Sequence, residues 1–200
     1  MCFFMQQSKS ATELQNRFHA EFINPHLHVS GNYNGFQHPL TPVITNQDIH
    51  TIELYRWGLI PHWAKDDSIK KNTLNARSET ISEKPAFRSC IHQRCLVLVD
   101  GFFEWQWLDE KGRQKQKYLI ALPKREAFAL AGLWNQWLNK ITGETENTYT
   151  ILTMEANELL SKIHNSKKRM PMVLSPENEK QWLSGKTLQL NNDRLIAEPV

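Results

Sequence analysis

Cys2 offers the most distinctive chemistry in the chain. Once Met1 is removed, Cys2 carries an α-amine and a thiol on adjacent carbons, a pair no other position can supply. An α-amine has a pKa of roughly 7.7–8.0, so a useful fraction is neutral near pH 7, whereas a lysine near 10.4 needs burial to match it. A neutral amine attacks an aldehyde to form a Schiff base, and the neighbouring thiol can then close on the same carbon. The product is a five-membered thiazolidine, which resists hydrolysis far better than an imine. Cys2 is therefore a candidate for covalent capture of aldehydes. The plain alternative is a small apolar residue near a chain end.

Two further residues could move protons around such a reaction. Glu104 lies in Gly101-Phe102-Phe103-Glu104-Trp105, where an apolar run ends. Glutamate is rarely buried without a partner, and burial would raise its pKa into the range useful for acid–base work. The same window also allows an exposed Glu104 with Phe103 and Trp105 pointing the other way, and both readings stay open. His164 follows a helical stretch and precedes Lys167, Lys168 and Arg169. A histidine at such a place is more often a C-terminal cap than a catalyst. Cys90, His92 and Cys95, and His26 with His28, are close in sequence but lack the paired spacing of a zinc site, so no metal is expected. With no Gly-rich phosphate loop, Ser-centred elbow or dinucleotide fingerprint, no cofactor is expected either.

The elements that must position these residues read mainly as strands. Phe3-Phe4-Met5 predicts a short strand that draws the N-terminus into the fold. Ser10-Ala11-Thr12-Glu13 is a capping box, and Leu14, Phe18 and Phe22 at helical spacing extend the predicted helix over 11–22. Residues 27–30 could form a strand, and a loop at 31–42 carrying Phe36 and His38 follows, then a strand over 51–60. Trp57-Gly58-Leu59-Ile60-Pro61-His62-Trp63 predicts a rigid turn. The polar stretch from Asn72 to Thr80 has no period, and Pro85-Ala86-Phe87-Arg88 suggests a short helix. Arg94 to Asp100 is the clearest buried strand. Strands are expected at 117–121, 128–137, 148–153, 172–174 and 194–197. Helices are expected after Thr153 as cap and after Ser175-Pro176.

Two hundred residues with 40% apolar content suit one folded domain with a sizeable core. No apolar run is long enough to span a membrane, and the N-terminus lacks the pattern of a signal peptide. Three cysteines, an odd number, then point to a reducing cytosol. A net charge of +3 permits nucleic-acid binding without requiring it. Several of the seven tryptophans neighbour arginine or lysine, the mixture used by single-stranded nucleic-acid sites.

Six segments together resemble the SOS-response-associated peptidase (SRAP) family. They are the Cys2 start; Trp57-Gly58-Leu59-Ile60-Pro61 with Trp63-Ala64-Lys65; Asn75-Ala76-Arg77-Ser78-Glu79-Thr80; Arg94-Cys95-Leu96 with Asp100-Gly101-Phe102-Phe103-Glu104-Trp105; Ala131-Gly132-Leu133-Trp134; and His164 with Arg169-Met170-Pro171. The resemblance covers nearly the whole chain. It implies a single α+β domain over 1–200 with a β-barrel-like antiparallel core flanked by a few helices. It further implies a sensor of abasic sites in single-stranded DNA that forms a DNA–protein crosslink in the damage response. In that reading Cys2 is the nucleophile, Asn75 holds it and the sugar, Glu104 shuttles protons, and His164 assists sugar ring opening. Arg77, Arg88 and Arg169 would contact phosphates, and Trp63 and Trp105 would pack against bases or a strand junction. The implied protein is a cytoplasmic, nucleoid-associated monomer that removes its own Met1, with replication-fork proteins as further partners.

The chain departs from the family pattern in three places. Phe3 and Phe4 stand where a small residue and an arginine are usual, Phe103 replaces a tyrosine, and the segment between His164 and Arg169 is longer, with Ser166, Lys167 and Lys168 as the insertion. Two other classes of function compete. A cysteine-type peptidase would need the thiol but not the amine. A non-catalytic single-strand binding module would not need Cys2 at all.

Overall fold

The barrel is built on the strand that reads most clearly in the sequence. The computed structural model describes residues 2–188, 190 and 194–200. Strand β7 (Arg94–Val99) pairs with β4 (Leu40–Thr45) on one side and β10 (Phe128–Leu138) on the other, both antiparallel. β4 continues to β5 (Thr51–Trp57), and β10 to β11 (Thr145–Glu155). The ring of five closes where β5 meets β11 in parallel, Arg56 opposite Thr148 and Trp57 opposite Tyr149. Cys95, Val97 and Val99 join Val43, Trp57, Leu130 and Tyr149 in one apolar cluster, while Leu96 and Leu98 join Ile44, Ala129 and Leu152 in a second. A strand buried on both faces has no reason to alternate, which is why residues 95–99 are continuously apolar. The outer cluster is covered by Leu14 of α1 (Ala11–Phe18) and Trp182 of α3 (Pro176–Leu183).

A second sheet carries the N-terminus. Its order is β14 (Ile196–Pro199), β9 (Lys115–Ala121), β8 (Gly101–Trp107), β1 (Phe4–Gln7) and β3 (Gly31–Asn34). β7 passes into β8 through Asp100, and this corner is tied to β1. The Asp100 carboxylate accepts from the Ser8 N–H at 2.8 Å, the Asp100 N–H donates to Gln6 O at 3.0 Å, and Gln7 Nε2 donates to Leu98 O at 2.9 Å. The C-terminal end of β11 organises what remains, pairing on both sides. β6 (Asn75–Arg77) runs parallel to it, and β12 (Arg169–Pro171) runs antiparallel, so that Thr153 lies between Arg77 and Pro171. The remaining elements are β2 (Glu21–Phe22), α2 (Glu158–Ile163) and β13 (Val173–Leu174). Among the described residues no helix is long and apolar enough to cross a membrane.

Several expectations change. The helix predicted over 11–22 stops at Phe18, because His19 takes a left-handed cap conformation (φ 53°) and Glu21–Phe22 turns into β2 beside β5. The supposed loop at 31–42 contains β3 and the start of β4, and 27–30 is not a strand. Residues 85–88 form turns rather than a helix. Asn157, not Thr153, caps α2, since Thr153 is still within β11. β5 ends at Trp57 because Gly58 has φ +118°, and a Cβ there would lie 2.8 Å from both His38 Nδ1 and Lys70 O.

Candidate functional site

Three elements and one turn bring the predicted catalytic residues together. Cys2 precedes β1 and has no exposed surface. Asn75, the first residue of β6, donates from Nδ2 to Cys2 O at 2.8 Å, which fixes the peptide that follows the Cys2 nitrogen. Its Oδ1 is buried with no hydrogen-bond partner among the described residues.

Glu104 comes from β8, and the structure resolves the ambiguity of its window. Phe103 and Trp105 do point the other way, but the face they leave to Glu104 is the inner one. Phe102 is fully buried in the barrel-side cluster and Glu104 is 4% exposed. Burial raises the Glu104 pKa from the usual carboxylate range to about 7. Burial, and next the Glu104 carboxylate, push the Cys2 thiol far up, so the sulfur is held as a thiol.

His164 is the C-cap of α2 and is buried. α2 places it against β8, since Leu160 and Ile163 share a cluster with Cys2 and Phe102, and Gln106 Nε2 donates to Lys162 O at 3.2 Å. Its Nδ1 lies 2.7 Å from Arg169 O and 3.3 Å from Arg169 N. The carbonyl can only accept and is the shorter contact, so it outweighs the N–H and favours the proton on Nδ1, which leaves Nε2 as the unprotonated nitrogen. Burial lowers the His164 pKa, which keeps the ring neutral near pH 7.

Residues 1–200 match the family described as SOS response associated peptidase (SRAP). The chain belongs to the SRAP family. It is 42% identical over 175 residues to the abasic site processing protein YoqW of Bacillus subtilis (strain 168), a match spanning 82% of this chain and 75% of that one. It is 34% identical over 152 residues to the abasic site processing protein HMCES of Gallus gallus, covering 64% of this chain and 44% of the relative. A crystal structure of a Bacteroides thetaiotaomicron protein superposes with a TM-score of 0.88 at 32% identity, over all of this chain and 92% of the other. The single α+β architecture expected for an SRAP protein is the one observed, with a parallel pairing where its barrel closes.

The residues expected to meet DNA are placed less uniformly. Arg77 is exposed beyond Asn75 on β6. Trp63 is 51% exposed on a turn held by Ala64 N–H donating to Pro61 O at 2.9 Å and Trp137 Nε1 donating to Ala64 O at 2.8 Å. Trp105 faces outward, edge-on to Phe4 at 5.0 Å, with Lys117 Nζ 5.8 Å from its ring. Phe3 packs on Phe36 at 4.9 Å, so the two phenylalanines that replace the usual small residue and arginine extend an aromatic surface. His38 instead bonds Trp57 O through Nδ1 at 2.9 Å and is structural. Arg88 is exposed, with no hydrogen bond or ion pair to the Cys2 group among the described residues.

Arg169 departs most from its expected role as a phosphate contact. Its guanidinium grips Glu79 through both oxygens at 2.8 and 2.9 Å and donates to Thr153 O at 2.7 Å. A phosphate would have to compete with a bidentate carboxylate. Sequence reasoning missed Glu79 and also Asn165, whose amide bonds β8. The signals were a carboxylate in an otherwise uncharged polar stretch after Arg77, and an amide side chain directly after the helix cap.

Proposed function

We propose that this protein captures abasic sites in single-stranded DNA covalently, through the amine and thiol of Cys2 after Met1 has been removed. The observation that carries the reading is the buried Cys2 held by Asn75 beside a carboxyl with a pKa of about 7. The names of the relatives, abasic site processing proteins, support the same substrate.

The steps balance with the groups in place. An abasic sugar is mostly a closed hemiacetal. Neutral His164 accepts the hydroxyl proton at C1′ and returns it to the ring oxygen as the bond from C1′ to that oxygen breaks, which opens the ring to the aldehyde. The Cys2 nitrogen adds to C1′. Glu104, about half protonated near pH 7, donates to the departing hydroxyl so that water leaves and the imine forms. The imine is released in its protonated form, and the thiol adds to its carbon. The C=N electron pair returns to nitrogen and the thiol proton passes to the Glu104 carboxylate, giving the neutral thiazolidine and restoring the carboxylic acid. Because the thiol is held protonated, it needs this base, and the amine attacks first. The same property weighs against turnover of peptides by a free thiolate. Removal of Met1 is a single self-processing event in this reading.

Arg77 and Arg88 would bind phosphates, and Trp63 and Trp105 would offer faces to bases. Arg169 reaches a phosphate only by exchanging partners. The test is incubation with single-stranded DNA bearing one abasic site, followed by a denaturing gel and intact mass analysis. A shifted band that survives denaturation without borohydride, of a mass lacking Met1 and absent in Cys2→Ala, is expected. Bound DNA with no covalent species, from protein lacking Met1, would leave only a binding module.

A further inference from the structure

We propose that Asn165 and Glu79 are positioning residues that hold His164 in an unusually long turn and select the tautomer whose Nε2 exchanges the proton. The inference rests on the role of His164 in the proposed reaction. Four residues separate His164 from Arg169. Left to itself, a turn of that length would let the imidazole wander, because each loop residue adds backbone freedom. The turn is instead closed on itself and clamped at both ends.

Closure comes from the backbone. The Lys168 N–H donates to His164 O at 2.8 Å, and the Ala156 N–H donates to Lys168 O at 3.0 Å. Lys168 adopts φ +49° to make this possible.

The first clamp is Asn165. β1 pairs with β8 only as far as Phe102 opposite Met5. Farther along β8, the Asn165 amide takes both backbone groups of Trp107, accepting its N–H at 3.1 Å and donating to its O at 2.9 Å. One side chain thus does what a paired strand residue would do, and ties the His164 turn to the strand that carries Glu104.

The second clamp is Glu79. By gripping both terminal nitrogens of Arg169, it fixes the β12 residue whose carbonyl accepts Nδ1–H of His164. The Thr153 carbonyl, which takes Arg169 Nη2 at 2.7 Å and the Ser78 N–H at 3.0 Å, joins the two ends of the clamp through β11. Losing Glu79 leaves the Arg169 guanidinium on Thr153 alone, held by one terminal nitrogen, and so loosens the residue whose carbonyl orders the ring.

The experiment uses the full chain with Asn165→Ala and Glu79→Gln, alone and in a His164→Ala background, with Asn165→Ser as a milder change. Asn165 is exposed, so its substitution leaves the core intact. The direct readout is the nitrogen chemical shifts of the His164 ring in free protein, which report the tautomer whether or not DNA is captured. A mixture of tautomers is expected in both variants, with crosslinking slowed roughly 10- to 100-fold and no further slowing when His164 is already alanine. A His164 ring that keeps a single Nδ1–H tautomer in both variants would overturn the proposal, as would equal slowing in the presence and absence of His164. Failure of the wild-type protein to crosslink would remove the reaction but leave the tautomer result to decide the positioning.

Discussion

On the inner side of β8, Glu104 lies beside Phe102 and the buried cysteine; on the outer side Phe103, Trp105 and Trp107 stand opposite Leu119, Lys117 and Lys115. The two faces of one strand therefore differ toward its end: Phe103 is as buried as Glu104, but Trp105 and Trp107 reach the surface. The inner carboxyl is stripped of water and titrates near neutrality. The outer aromatics are half-buried or better and lie under lysine ammonium groups, Lys117 Nζ 4.0 Å from the Phe103 ring and Lys115 Nζ 5.5 Å from that of Trp107. Dry, fixed groups suit bond making, whereas wet cations and ring faces suit a charged polymer that must come and go. The inner face should respond to pH and the outer one to salt.

The contrast can be broken most severely at Cys2. Cys2→Ala should abolish the denaturation-resistant complex while leaving DNA affinity intact. Cys2→Ala and Cys2→Ser both lose the thiol but keep the amine of residue 2, so on protein lacking Met1 each should give only a species trapped with borohydride. Gel analysis with and without reductant separates that imine from the thiazolidine.

Glu104→Gln should slow crosslinking by roughly 10²–10⁴-fold, the usual worth of a positioned acid–base group. It should also stabilise the fold. The Glu104 pKa is raised in the folded state, from 4.5 to about 7, so its ionisation costs nothing below pH 4.5, destabilises increasingly between pH 4.5 and about 7, and levels off above that. The full difference corresponds to about 3 kcal/mol. Thermal melts should therefore show the Glu104→Gln variant gaining several degrees over wild type at pH 8 and almost nothing at pH 4. Equal curves at both pH values would mean the carboxyl is not buried in solution.

Asn75→Ala removes the donor to Cys2 O, and a lost buried hydrogen bond costs about 1–3 kcal/mol. Single-turnover rates should fall about 5- to 150-fold. The outer face should behave differently. Trp105→Ala should weaken DNA binding by about 1–3 kcal/mol without changing the rate at saturation. Arg77→Ala and Arg88→Ala should each reduce the slope of log affinity against log salt by roughly 0.7. If Arg88 alone leaves that slope unchanged, the DNA does not pass the turn that carries it.

Residues 94–100 were legible as a buried strand from their continuous apolar run, and the barrel-like core was implied by the family resemblance. The side on which Glu104 falls was not legible, because alternation has a period but no sign; only packing against Phe102 decides it. The helix overrun to Phe22 has a similar cause. Phe22 has helical spacing from Phe18, yet β5 offers it a strand partner, and a pairing formed across thirty residues cannot be read locally. Arg169 shows the same limit from the other direction, since ninety residues separate it from the Glu79 that occupies its guanidinium.

By itself the sequence determined which groups this protein has for chemistry: a thiol at Cys2 on the residue whose amine the loss of Met1 would free, a carboxyl, an imidazole, and cations among aromatics. Those are covalent properties and survive any fold. What only the tertiary structure decided is their state. Burial sets the Glu104 and Cys2 pKa values, the Arg169 carbonyl sets the His164 tautomer, and Glu79 and Asn165 set its aim. Each depends on residues far apart in the chain, and solvation and hydrogen bonding belong to the assembled environment rather than to any one residue.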